Sequence, residues 1–314
     1  MNRYPFCAFR IPENGGRVLW EITNTCNYHC CYCIFSSESK IYKNELNTNE
    51  VKRIIEELKE NHFSYIKFTG GEPFTRKDMI EILKYAKELG FDMDISTNAS
   101  LITENVVKEL KNMNFPMVHV SLDGYDKRSH ELVRGKDTFE KTLKGIRLLT
   151  QNKIYTRIGT VIYKENERKL EEIIKLAIEL KANEIIFSFM EAVGRLEGDE
   201  TIISTRSIQE VKQELEKLAF QYQGRIQIKH SLTENKVCKT NEICPAVDKF
   251  IYINNLGQVS PCTWVVSENK EYQSKLTLKE HSLKEVIHSS SIQEYLRYLK
   301  ENKIKGCPFA RRRQ

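Results

Sequence analysis

From Val18 onward, short runs of β-branched and aromatic residues alternate with longer segments whose apolar positions recur every three to four residues. That succession yields parallel strands joined by crossover helices. The runs predict strands at 18–23, 65–69, 92–97, 117–121, 157–163 and 184–190, and helices at 48–61, 77–89, 103–112, 138–151 and 168–180. Thr48 and Thr103 are placed as N-caps, and Gly90 sits where a helix ends in a left-handed residue. Six βα units are too few for a closed eight-unit barrel, so the pattern predicts an α/β fold, an open partial (βα)6 TIM-like barrel whose strand C-terminal ends line a cavity. A further helix at 207–222 and a strand at 225–229 lead into an irregular, cysteine-bearing region. The expected division is an N-terminal extension at 1–17, a barrel at 18–230 and a small C-terminal domain at 231–314.

Composition adds limits rather than detail. The chain has 314 residues, 40% hydrophobic and 29% charged, with no low-complexity stretch, so nearly all of it should fold. No apolar run approaches the roughly 20 residues of a membrane span. The N-terminal residues lack an apolar signal core, so a soluble, cytoplasmic protein is expected, and nine cysteines then read as metal or redox ligands rather than disulfides. A net charge of +6 and the run Arg311–Arg312–Arg313 could attract an acidic partner. Aromatic and basic residues do not interleave as on a nucleic-acid platform, so no nucleic-acid partner is predicted.

Directly after the first strand the chain reads Cys26-Asn-Tyr-His-Cys30-Cys31-Tyr32-Cys33. Three thiolates at that spacing can hold three corners of a cubane cluster and leave the fourth iron open, whereas a structural site closes its coordination. Zinc held by three of these thiols with His29 or Cys31 is the competing assignment. Zinc sites, however, usually join two separated pairs.

The triplet, with an aromatic residue before its third cysteine, resembles the signature of the radical S-adenosylmethionine (SAM) superfamily. The resemblance implies a 4Fe-4S cluster on Cys26, Cys30 and Cys33 that binds SAM through its open iron and cleaves it to a 5′-deoxyadenosyl radical, with Tyr32 beside the adenine. Gly70-Gly71-Glu72-Pro73, ending the second strand, resembles the superfamily's glycine-rich motif for the methionine amino group. Glycines allow close backbone approach, and a carboxylate can pair with an ammonium group. Ser96 and Asn98, and Ser121 and Asp123, end the next two strands, where relatives contact the SAM ribose and methionine. Turn chemistry explains such residues equally well. Arg134 resembles an arginine that pairs with the SAM carboxylate.

Cys244, Gly257 and Cys262, followed by Cys307, resemble the opening of the auxiliary-cluster domain called SPASM, or its shorter form, twitch. The resemblance implies a second, auxiliary 4Fe-4S cluster, with a hairpin of 250–253 and 258–260 bringing the first two thiols together. Cys238 is its fourth ligand, a hydrogen-atom donor, the one catalytic candidate, or an unrelated thiol. A four-cysteine zinc site is the competing assignment. Cys7 and Cys31 fit neither pattern, and Tyr163 and Glu191 are candidates for groups near the cavity.

The expected activity is hydrogen abstraction from an unactivated C–H bond by an oxidoreductase or maturase, with a reductant such as flavodoxin or ferredoxin as partner. A ribosomally made peptide is the favoured substrate, to be oxidised, cross-linked or epimerised, and a small sugar or aminocyclitol intermediate is the alternative. Only 25 residues precede Cys26, which argues against leader binding within the chain, though a separate protein could supply that function. An iron-sulfur or zinc binding protein without activity is the third reading, and Gly71, Glu72 and Arg134 argue against it.

Overall fold

A computed structural model describes residues 14–232, 244, 246–263, 265 and 270–302. Cys7, Cys238 and Cys307 lie outside the described residues.

Strands β1 (Gly16–Thr23), β2 (Phe63–Gly70), β3 (Asp92–Thr97), β4 (Val118–Ser121), β5 (Thr156–Ile162) and β6 (Glu184–Phe189) pair side by side in parallel and in chain order. Helices α1 (Thr48–Glu60), α2 (Met79–Glu88), α3 (Glu104–Asn112), α5 (Phe139–Gln151) and α6 (Leu170–Glu179) are the crossovers. This is the expected open (βα)6 partial barrel. Two further strands lengthen its sheet. After α7 (Ile208–Gln221), β7 (Gln227–His230) adds in parallel beside β6, and β8 (Phe250–Ile253) returns to lie parallel to β1. The predicted hairpin forms from β8 and β9 (Val259–Ser260), and Gly257 adopts φ +79° in its turn.

The two faces of the sheet differ in chemistry. Val18, Trp20, Ile22, Ile66, Phe68, Ile95 and Val120 point outward into one apolar cluster with the crossover helices. Each such buried aliphatic or aromatic side chain contributes about 1.5–3 kcal/mol. The alternating positions point inward and are mostly polar, with Leu19, Val161 and Ile186 as apolar exceptions. Lys67 Nζ lies 2.6 Å from Asp94, Arg17 lies 3.5 Å from the same carboxylate, and Arg157 and Lys229 both pair with Glu184. Burial alone would raise the Asp94 carboxyl, but Lys67 and Arg17 hold it at about 2.

Several boundaries differ from expectation. Asn47, not Thr48, caps α1, accepting from the Asn49 and Glu50 amides while Glu50 reaches back in a capping box. Thr103 caps α3 as expected, and Gly90 follows α2 at φ +76°. Helix α4 (Lys127–Arg134) was not anticipated, because its residues are almost all polar and give no apolar stripe. Helices α8 (Leu283–Ile287) and α9 (Ser290–Glu301) stand in the region read as irregular. Among the described residues no helix is long and apolar enough to cross a membrane.

Candidate active site

The segment after β1 forms a loop closed at its base, where Thr25 bridges to Glu38 and the Cys26 amide donates to the Glu38 carbonyl at 2.9 Å. Cys26 is buried, and Cys30 and Cys33 are half-buried. The Cys33 amide donates to the Cys30 carbonyl at 3.3 Å, which turns the two side chains into one neighbourhood. Burial pushes the Cys26 thiol up to about 12, and the nearby Glu72, Cys30 and Cys33 add to the rise. Burial likewise pushes Cys30 up to about 11, against the pull of Arg134. Cys26 and Cys30 therefore each feel their neighbours in the triplet, and a metal must displace the protons of these two thiols to bind. Among the described residues no three His, Cys, Asp or Glu side chains converge on one point, as the ligands of a single ion do. The corners of a cubane stand further apart. Cys26 lies near enough to Cys30 and Cys33 to feel their charge, with the Arg134 guanidinium beside Cys30, and thiolates so grouped suit an iron-sulfur cluster.

The glycine-rich turn locks this loop to β2. The Gly71 amide donates to Thr23 O at 2.7 Å and the Glu72 amide to Thr25 O at 2.9 Å, so the β1–β2 pairing continues to the residue before Cys26. Gly70 adopts φ +128°, and a Cβ there would stand 2.2 Å from Thr23 O; a Cβ on Gly71 would stand 2.2 Å from Thr25 O. Glycine is required at both positions. Pro73 opens a short 3-10 turn that Glu72 caps. The Glu72 carboxylate is buried and accepts from Asn98 N (2.7 Å), Thr97 Oγ1 (2.8 Å) and Phe74 N (3.1 Å). Burial raises its carboxyl to about 7 despite those donors. Glu72 thus ties the end of β2 to the end of β3.

Asn98 continues the chain of contacts. Its amide group donates to Asn27 at 2.9 Å, and its oxygen accepts from Ser100, whose hydroxyl also accepts from Asn27 at 2.8 Å. Tyr28 reaches across to donate to Thr138 O. Ser96 and Ser121 are half-buried on β3 and β4, alternating with Ile95 and Val120 of the outward core.

Buried Asp123 and Arg134 and half-buried Tyr32 form one group. Arg134 Nε donates to Asp123 Oδ2 at 2.5 Å, the Tyr32 phenol donates to the same oxygen, and Arg134 also donates to the Tyr32 hydroxyl. Arg134 Nη1 lies 3.9 Å from Cys30 Sγ. The other Asp123 oxygen accepts from Val161 N at 2.9 Å, which anchors the ion pair on β5. Burial drives the Tyr32 phenol well above its ordinary value, so it stays neutral. Helix α4, unforeseen in the sequence, carries Arg134 into this group.

Other candidates stand elsewhere. Tyr163 is fully buried against Val133, Met190 and Leu196, and its hydroxyl donates to Ser129 O, so it holds α4 in place. Cys31 packs against the same cluster. Cys244 and Cys262 are half-buried and both border Ala246, Val265, Tyr295 and Leu299, which brings these two thiols to one apolar surface.

Two features went unread in the sequence. Glu21, on the inner face of β1, accepts from the Tyr252 phenol of β8. Arg195, in the turn after β6, donates to carbonyls of the cysteine loop. A glutamate inside the apolar run 18–22 was a legible signal for the first. Nothing local marked the second.

The profile of the Radical SAM superfamily matches residues 20–177, and the chain belongs to that superfamily. Membership implies SAM and a 4Fe-4S cluster as cofactors. The chain is similar to an AdoMet-dependent heme synthase of Methanosarcina barkeri, 34% identical over 59% of this chain and 52% of that protein. It is also similar to a PqqA peptide cyclase of Bradyrhizobium diazoefficiens, 26% identical over 78% of this chain and 66% of the relative. Its fold matches that of Streptococcus suis SuiB bound to S-adenosylmethionine, with a TM-score of 0.76 at 18% identity, over 90% of this chain and 68% of that one. SuiB has also been solved bound to its precursor peptide SuiA, matching with a TM-score of 0.74. The chain spans between about half and two thirds of the length of these two curated relatives.

Proposed function

We propose that this chain is a radical SAM oxidoreductase or maturase that takes a hydrogen from an unactivated C–H bond of a ribosomally made peptide, leading to oxidation, cross-linking or epimerisation. The observation that carries the chemistry is the cysteine loop, held from one side by the Gly70–Gly71–Glu72 turn and from the other by Arg134. Bound together, the cluster and SAM supply a 5′-deoxyadenosyl radical. Cys26, Cys30 and Cys33 would hold the cluster. Gly70, Gly71, Glu72, Pro73, Ser96, Asn98, Ser121, Asp123 and Arg134 would hold SAM, with Tyr32 by the adenine. Preorganised donors and charges of this kind cost little reorganisation when the ligand arrives. In residues 231–314, Cys244, Cys262, Cys307 and Cys238 would hold a second 4Fe-4S cluster of the twitch type, and a flavodoxin or ferredoxin would supply electrons.

The PqqA cyclase alignment, which reaches well beyond the residues of the superfamily profile, supports a peptide substrate. So does the fold shared with a protein solved with its precursor peptide. The heme synthase relative, at the higher identity, favours a small-molecule substrate as the second reading.

Anaerobic reconstitution with iron and sulfide, followed by iron counting and a SAM-cleavage assay under dithionite, tests the proposal. Wild type should bind about eight irons and form 5′-deoxyadenosine, and the Cys26, Cys30, Cys33 triple alanine variant should keep about four and form none. Zinc in place of iron, with SAM intact, would refute it.

A further inference from the structure

The two ligands Cys30 and Cys33 lie on irregular backbone between β1 and α1, where few interactions of their own hold them. Two come from the loop itself, Cys33 N to Cys30 O and Ser36 N to Cys33 O, and one from the end of α4, where Cys31 N donates to Val133 O. Ser37 Oγ donates to Asn24 and Arg134 reaches Cys30 Sγ, and a further grip on the backbone comes from 165 residues along the chain. The Arg195 guanidinium donates through Nη1 to Cys30 O and through Nη2 to Ser37 O, the latter at 2.5 Å. Its backbone amide donates to Cys33 O at 3.0 Å. One residue thereby fastens three carbonyls of the segment 30–37.

The turn that presents it is shaped for close approach. Gly194 adopts φ +61°, and a Cβ there would stand 2.4 Å from Cys33 O and 2.6 Å from Ile34 Cα. Only glycine lets the β6 turn lie flat on the cysteine loop. The short 3-10 turn Gly194–Leu196 then directs the arginine along that loop, and buried Leu196 anchors the turn in the cluster of Val133, Tyr163 and Met190. A planar fork with several donors is what two separated carbonyls require, and lysine lacks it. Arg134 approaches the same loop from α4, so two cations flank the thiol triplet from different elements.

We propose that Arg195, presented by Gly194, is a positioning residue for the cluster held by Cys26, Cys30 and Cys33: it fixes the backbone of two ligands and lends positive charge to the site. This rests on the radical SAM reading of the triplet. Two effects follow and are separable. The hydrogen bonds govern how firmly the cluster is retained, as outer partners of metal ligands generally do. The charge governs its reduction potential, since a nearby cation stabilises the more negative, reduced state.

Three variants of the full chain test this: Arg195→Met, which removes fork and charge at similar length; Arg195→Lys, which keeps the charge; and Gly194→Ala, which pushes the turn off the loop. After anaerobic reconstitution, iron loss to a ferrous chelator is followed by absorbance, and the midpoint potential of the SAM-bound site is read by EPR-monitored titration. The Cys26→Ala variant supplies the baseline for iron bound elsewhere. Arg195→Met should lose cluster iron about ten- to a hundredfold faster than wild type and show a lower midpoint potential. Arg195→Lys should recover the potential but not the retention, and Gly194→Ala should lose retention alone. Unchanged far-ultraviolet circular dichroism would separate these effects from unfolding. Retention and potential like wild type in Arg195→Met would overturn the inference while leaving the radical SAM reading intact. A wild type that takes up no more iron than Cys26→Ala would overturn that reading, and the inference with it.

Discussion

The Glu21 carboxyl is 5% exposed on the inner face of β1, and burial raises it to about 8, against the hydrogen bond from Tyr252 and with Glu45 adding to the rise. A carboxyl raised in the folded state favours folding while it is protonated. Its contribution is complete below the unfolded value near 4.5 and is lost as pH rises through about 8. Glu21→Gln imitates the neutral form at every pH. The variant should match wild type in thermal midpoint at pH 5 and exceed it increasingly toward pH 9, by a free energy on the order of 5 kcal/mol at the limit. Equal pH profiles for the two proteins would show that Glu21 ionises freely in the folded state. The glutamate itself is visible in the run 18–22 as a polar break. Its partner, 231 residues away, is not, because nothing in the sequence says that β8 will lie beside β1.

Helix boundaries show where local chemistry suffices and where it misleads. Thr103 and Ser207 cap α3 and α7 through their own side chains, as their positions suggest. At α1 two adjacent residues could cap, and Asn47 takes the role while the Thr48 hydroxyl donates to Asp78 at 2.7 Å, beside α2. Asn47→Ala should therefore cost about 1 kcal/mol of stability in urea titration, with an unchanged slope. A loss near zero would move the cap to Thr48. Helix α4 was hidden for a different reason. Its stability comes from the Asp126–Ser129 capping box and from burying His130, Val133 and Arg134, not from an apolar stripe. Arg134 was recognised as a candidate from its motif, but the helix that aims it at Asp123 became evident only in the fold.

Across the molecule, the continuity of the sheet binds the C-terminal residues to the barrel. β8 pairs with β1 along Arg17–Trp20, Tyr252 stacks on Phe35 at 6.1 Å just past Cys33, and Arg53 donates to the Leu278 carbonyl. Ending the chain after residue 232 would bare the β1 edge, which carries a row of unpaired backbone groups open to association. Such a chain should aggregate or elute as oligomers in size-exclusion chromatography, while the full chain does not. A monomeric truncation with native circular dichroism would show that the barrel stands without β8. The order of strands and helices, the cysteine triplet, the glycine-rich turn and the hairpin could all be read from the chain, because each is written in neighbouring residues through periodicity, spacing or turn chemistry. The pairing of β8 with β1, the polar inner face, the meeting of Asp123 with Arg134 and Tyr32, and the grip of Arg195 on the cysteine loop could not. They join residues far apart in sequence, and only the packing of the completed sheet brings those residues within reach.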